Sequence, residues 1–300
     1  MSILTDPAVA AFLAAHKGHD QDPRPVAVFD CDGTVIHGDM GEAMFYRQIE
    51  HFHFRRSPAL VWPDHPRRGE IGTLYEELVA LGPAGRAGSA ASGRFAEILL
   101  SRYFDQIASG AVAKACADIV RLFAGYTPAE VHELARATFD DELSSPIGTR
   151  RLGGRDLPRG ARFIREAVDL IGALTALRFD IWVVSGSNRW SVVPVFRRFG
   201  IPEDRVIGID LKVRDGLLTD SAEEPVPIRS AKIDALRRHT LRIPVLTVSD
   251  SKNDIPLLLY SAGLRVRINS RKRDTADFFR TAGTVPDDTW VLVESPHIME

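Results

Sequence analysis

Val26-Ala27-Val28-Phe29-Asp30-Cys31-Asp32-Gly33-Thr34 joins a continuous apolar run, with Pro25 in front of it, to a tight acidic turn. Consecutive β-favouring residues without polar alternation fit a strand buried on both faces, as in a parallel sheet. Three later runs share the plan: 181–184 before Ser185-Gly186, 245–248 before Ser249-Asp250, and Leu264–Ile268 before Asn269, with Val206–Ile209 a weaker fourth. Between them, residues 160–177 place Phe163, Ile164, Ala167, Leu170, Ile171 and Leu174 at helical spacing. Strands alternating with helices predict an α/β fold with a doubly wound parallel sheet. Ligands of such sheets bind outside the carboxyl ends of the strands, where these polar clusters fall.

Between the first strand and the next core helix lie roughly 120 residues, far beyond an ordinary connection. An inserted helical domain is expected there, with helices over 41–51, 71–81, 94–108, 112–124 and 128–139. Thr127-Pro128-Ala129-Glu130 carries a capping-box signature with Pro at the first helical position. The Gly-, Ala- and Ser-rich stretch 82–93 reads as a flexible loop. The expected division is a core of 1–36 and 156–300 and an insertion of 37–155.

With 45% hydrophobic and 26% charged residues among 300, the composition is that of a soluble globular protein. A formal net charge of −2 gives no electrostatic footprint for nucleic acid, and a small-molecule partner is expected instead. Two cysteines, Cys31 and Cys116, make no disulfide framework. No segment approaches the ~20 apolar residues of a spanning helix. The apolar stretch 9–15 follows Asp6 rather than a basic residue and is short for an export signal, so a cytoplasmic protein without membrane contact is expected.

Four segments carry chemistry. Asp30 and Asp32 stand one residue apart at a strand end, so one carboxylate can attack phosphorus while the other protonates the leaving oxygen and later activates water. Ser185-Gly186-Ser187-Asn188 offers a hydroxyl and backbone N–H groups near a helix start, a favourable place for phosphate oxygens. Lys232, at the start of an expected helix, can offset charge between a nucleophilic carboxylate and an incoming dianion. In Ser249-Asp250-Ser251-Lys252-Asn253-Asp254, two carboxylates four residues apart suit a hard cation such as Mg2+.

Taken together, Asp30-x-Asp32-Gly33-Thr34, Ser185, Lys232 and Asp250-x-x-x-Asp254 resemble the motifs of the haloacid dehalogenase superfamily of phosphatases, over residues 26 to 270. The resemblance implies a Rossmann-like core and an aspartyl phosphate on Asp30, with Asp32 as general acid/base. It further implies phosphate binding by Thr34 and Ser185, with Asn253 near the phosphate, and charge neutralisation by Lys232. Mg2+ would lie on Asp30, Asp250 and the main-chain carbonyl of Asp32, supported by Asp254. The insertion is similar to the cap of the phosphoserine phosphatase-like branch, and several segments, 26–46 among them, resemble phosphorylcholine phosphatases. Gly33 stands where that family leads one to expect Asn, and Ser249 where Gly is usual.

The resemblance implies hydrolysis of a small phosphorylated metabolite. Asp39, Glu42 and Phe45, on one face if helical, could receive an ammonium head through charge and cation–π attraction, pointing to phosphorylcholine-, phosphoethanolamine- or phosphoserine-like substrates. Packing of Met44 and Phe45 into the core is the other reading of this segment. A phosphotransferase would keep all four motifs, and a catalytically silent phospho-ligand binding module would be marked by loss of Asp30, Asp32 or Lys232, all of which are present.

Overall fold

The computed structural model describes residues 2–17 and 23–300. Six strands form the main sheet: β1 Val26–Phe29, β2 Asp180–Asn188, β3 Val206–Ile209, β4 Leu246–Ser249, β5 Leu264–Ile268 and β6 Trp290–Val293. Their order is β6-β5-β4-β1-β2-β3. β1 lies parallel to β4 and β2, and β4–β5 and β5–β6 are parallel as well. All five strands expected from the sequence are present, and β6, from the run Trp290-Val291-Leu292-Val293, adds an edge that was not expected.

The sheet grows outward from β1 in both directions, so its topological switch point lies between β1 and β4. Asp30 and Asp250 are the residues that follow those two strands. On one face Val26, Val28, Trp182, Val184 and Ile207 pack with Ala235, Leu236 and Leu257 into one apolar cluster. The helices Ala231–Arg237 and Ile255–Tyr260 that contribute the last three are thereby fixed to the sheet.

The chain separates into two compact units. One comprises 1–39, 161–208 and 225–300; the other comprises 40–160 and 209–224. The second unit carries the helices Met40–Glu50, Arg68–Arg86, Ala90–Ala108, Val112–Arg121 and Pro128–Ser144, with the capping box at Thr127 and Glu130 in place. Residues 209–224, assigned to the core in the sequence-based division, group with the helices instead. Their antiparallel pair Leu211–Arg214 and Leu217–Ala222 is held by Gly125 N–H donating to Leu218 O and Leu218 N–H to Tyr126 O, each at 2.8 Å.

Two local expectations need correction. The stretch 82–93 is not a loop throughout: Gly82, at φ 65° and ψ 175°, breaks a helix that resumes at Pro83 and runs to Arg86, and Ser89 caps the next one. Proline at a helix start costs no hydrogen bond, which is why the break resolves into helix again. The segment 160–177 becomes helical only at Arg165, because Gly160 turns at φ +85° and Arg162–Phe163 pair antiparallel with Ile36–His37. No helix among the described residues is long and apolar enough to cross a membrane.

Candidate active site

The chain turns immediately after β1. The N–H groups of Thr34 and Val35 donate to Cys31 O at 3.1 and 2.8 Å, and Gly33 N–H donates to Ile36 O at 2.8 Å. Gly33 closes this turn at φ +79°, and a Cβ there would stand 2.5 Å from Asp250 Oδ2 and 2.9 Å from Arg271 Nε. Glycine suits this turn because it adopts positive φ without cost, and a side chain there would have to push aside the ends of Asp250 and Arg271.

The turn places Asp30 beside Lys232 and Thr34. Lys232 Nζ, from the first turn of Ala231–Arg237, donates to Asp30 Oδ1 at 2.8 Å and lies 2.6 Å from Asp254 Oδ1. Thr34 Oγ1 donates to Asp30 Oδ2 at 3.1 Å. Ser249 Oγ donates to Asp254 Oδ2 at 2.6 Å, so the serine standing in place of the usual glycine orients the second carboxylate of its own turn. β2, nine residues long, outruns β1 and brings Ser185 and Ser187 to Asp32: Ser187 Oγ is 2.7 Å and Ser185 Oγ 3.4 Å from Asp32 Oδ2.

Asp30, Asp250 and Asp254 are all buried, with one oxygen of each within 4.8 Å of the others. Burial, opposed by Arg271 but reinforced by Asp30 and Asp254, pushes the Asp250 carboxyl up to about 7. Burial also raises Asp254, against the lowering effect of Lys232. Lys232 is itself disfavoured by burial, yet Asp254 and Asp30 more than offset this and hold its ammonium above the ordinary lysine range. Lys232 thus pairs with two of the three carboxylates, and Arg271 lies beside the third. Asp250 Oδ2 is buried, accepts no hydrogen bond, and has Arg271 Nε 3.4 Å away. A concentrated set of hard oxygen donors with an unsatisfied atom fits a hard divalent cation.

Of the residues singled out from sequence, Asp30, Asp32, Thr34, Ser185, Lys232, Asp250 and Asp254 are gathered at the strand ends. Asn253 lies in the turn after β4 and accepts from Arg229 Nε at 3.4 Å. Gly186 turns its α-carbon toward Ile228, whose Cδ1 a Cβ would meet at 2.5 Å. Asp39 lies 3.7 Å from Arg271 Nη2. Glu42 and Phe45 belong to the helical unit. There the Glu42 carboxylate accepts from Tyr46 and Tyr103 hydroxyls, both at 2.8 Å, and Phe45 is buried against those two rings. Sequence alone assigns Ser187 no role of its own within its segment and does not single out Arg271. Ser187 carries a legible signal, because it lies two residues from Ser185 and so on the same strand face. Arg271 carries none, because its approach depends on how the segment after β5 folds back.

The family model for haloacid dehalogenase-like hydrolases matches residues 27–259, a range that contains every motif residue from Asp30 to Asp254. The chain belongs to this family. It is accordingly an enzyme, a haloacid dehalogenase-like hydrolase. Among solved structures, a conserved protein of unknown function from Anaerococcus prevotii matches this hydrolase with 17% identity and a TM-score of 0.72, over 92% of this chain and 89% of that one. A protein of unknown function from Bordetella pertussis matches with 17% identity and a TM-score of 0.50, over 81% and 89%. Both likenesses show the fold alone. A phospho-aspartyl intermediate analogue of phosphoserine phosphatase has 14% identity and a TM-score of 0.45 over 91% and 94%, too slight to bear on activity. No curated protein matches the sequence.

Proposed function

We propose that this hydrolase is a Mg2+-dependent phosphomonoesterase that forms an aspartyl phosphate on Asp30. The observation that carries the reading is Asp30 at the switch point, with Lys232 Nζ on one carboxylate oxygen at 2.8 Å and Thr34 on the other. Lys232 orients Asp30 and offsets its repulsion of a phosphate dianion. In the first step an Asp30 oxygen bonds to phosphorus, the bond to the ester oxygen breaks, and Asp32 gives that oxygen a proton. In the second, Asp32 takes a proton from the water that attacks phosphorus and restores Asp30.

Thr34, Ser185, Gly186 and Asn253 are proposed to bind the phosphoryl oxygens. Asp30, Asp250 and the main-chain carbonyl of Asp32 would hold Mg2+, with Asp254 behind them, locked by Lys232 and Ser249. Bound there, the ion would screen phosphoryl charge from its acidic surroundings. The substrate is proposed to be a small, amine-bearing phosphorylated metabolite of the phosphorylcholine, phosphoethanolamine or phosphoserine type. Glu42, oriented by two phenolic hydroxyls and with Phe45 beside them, and Asp39 are the carboxylates proposed to receive the ammonium head.

Asp30→Asn is expected to abolish Mg2+-dependent phosphate release across a panel of phosphomonoesters, and beryllium fluoride is expected to form an adduct on Asp30 in the unaltered protein. Retained turnover in the variant removes Asp30 as nucleophile. Glu42→Gln should weaken amine-bearing substrates while sparing p-nitrophenyl phosphate; equal losses on both would defeat the amine assignment.

A further inference from the structure

We propose that Ser187 is the positioning residue for the general acid, fixing one oxygen of Asp32 so that the other carries the transferred proton. The inference rests on the phosphatase reading above and assigns a role to a hydroxyl that the motifs leave out. Ser185, Gly186 and Ser187 lie in succession on β2. Strand alternation sends Ser185 and Ser187 to one face and Gly186 to the other. The structure bears this out, with both hydroxyls at Asp32 Oδ2 and the Gly186 α-carbon against Ile228.

The two serines are not equivalent. Ser187 Oγ stands 2.7 Å from Asp32 Oδ2, whereas Ser185 Oγ is at 3.4 Å and itself accepts the Ser187 N–H at 3.1 Å. The short contact is of the length found for hydroxyl-to-carboxylate bonds, and the long one is at the limit of a hydrogen bond. Ser187 therefore holds Asp32, and Ser185 keeps a hydroxyl proton for a phosphoryl oxygen. With Ser187 donating to Oδ2, the proton of the neutral acid resides on Oδ1. That proton passes to the ester oxygen as its bond to phosphorus breaks, leaving Asp32 ionised with the Ser187 bond intact.

General-acid assistance matters most for poor leaving groups, which separates positioning from a merely structural part. Ser187→Ala and Ser187→Thr are compared with the unaltered full chain on p-nitrophenyl phosphate, whose phenolate departs without a proton, and on phosphoethanolamine, whose alkoxide cannot. Ser187→Ala is expected to lower kcat/KM, which reads the step in which the leaving group departs, at least about tenfold on the alkyl ester and less than about threefold on the aryl ester. Ser187→Thr, which keeps the hydroxyl, is expected to restore the alkyl rate. Equal losses on both esters, no loss, or failure of threonine to rescue overturns the role of Ser187. Where phosphoethanolamine is not turned over, phosphorylcholine or phosphoserine serves as the alkyl ester; absence of turnover by the unaltered protein on all of these and on p-nitrophenyl phosphate instead removes the phosphatase reading itself, and the proposal with it.

Discussion

Lys232 is enclosed with two carboxylates, and its removal leaves Asp30 and Asp254 buried without their cation. Lys232→Met is expected to cost ~3–5 kcal/mol in urea unfolding at neutral pH with chelator present, because the charge left unpaired is costlier than the pair was favourable. A loss below ~1 kcal/mol would show that solvent reaches the site. Gly33 offers a second test. Gly33→Ala must strain a backbone at φ +79° and displace the Asp250 carboxylate 2.5 Å away, so titration calorimetry should find Mg2+ affinity reduced at least about tenfold. Unchanged affinity would mean that Asp250 is not a ligand. Much of this site was legible in the sequence because its residues follow strands, and a strand end fixes where the next side chain goes. Asp30 and Asp250 were found in that way, and Ser185 from the polar residues that follow the apolar part of β2. Arg271 and the partner of Asn253 were not, since neither the fold-back after β5 nor the approach of Arg229 has a local pattern.

The start of β2 is tied down by charge. Asp180 receives Arg205 Nε at 2.8 Å and pairs with Arg242 as well. Burial raises the Asp180 carboxyl, but these arginines more than offset it and hold it below the ordinary aspartate range. A depressed folded value means that the pair stabilises the protein above the unfolded aspartate pKa of about 3.9, and that this contribution is lost as pH falls through the folded value. Asp180→Asn should therefore lower Tm at neutral pH and flatten its acid-side decline; parallel curves would place the linkage elsewhere. For the helix Pro128–Ser144, Thr127→Ala removes one arm of the capping box and is expected to cost about 1 kcal/mol by thermal unfolding. Apolar period and capping chemistry made both elements visible in advance. β6 was overlooked because its four-residue run precedes none of the chemical motifs, and a short apolar run by itself does not distinguish strand from helix.

At the scale of the molecule, the least legible feature was the membership of 209–224 in the helical unit. Asp215-Gly216, at φ 53° and 77°, is a hairpin turn whose sequence could have been recognised, yet nothing in it says which unit the hairpin joins. Leu218, buried in that unit and bonded to Gly125 and Tyr126 through its backbone, decides the matter. Leu218→Ala is expected to cost ~2–5 kcal/mol and to speed hydrogen exchange at the Gly125 amide; unchanged exchange would show the hairpin to be peripheral. The position of β1 carries a different consequence. It leaves the ribosome before every other strand of the sheet, yet its neighbours begin only at Asp180 and Leu246, so Val26–Phe29 must wait unpaired through most of synthesis. A nascent chain that holds a wholly apolar segment in reserve for so long is a natural client for chaperones, and slowing translation should bring no benefit until β2 has emerged.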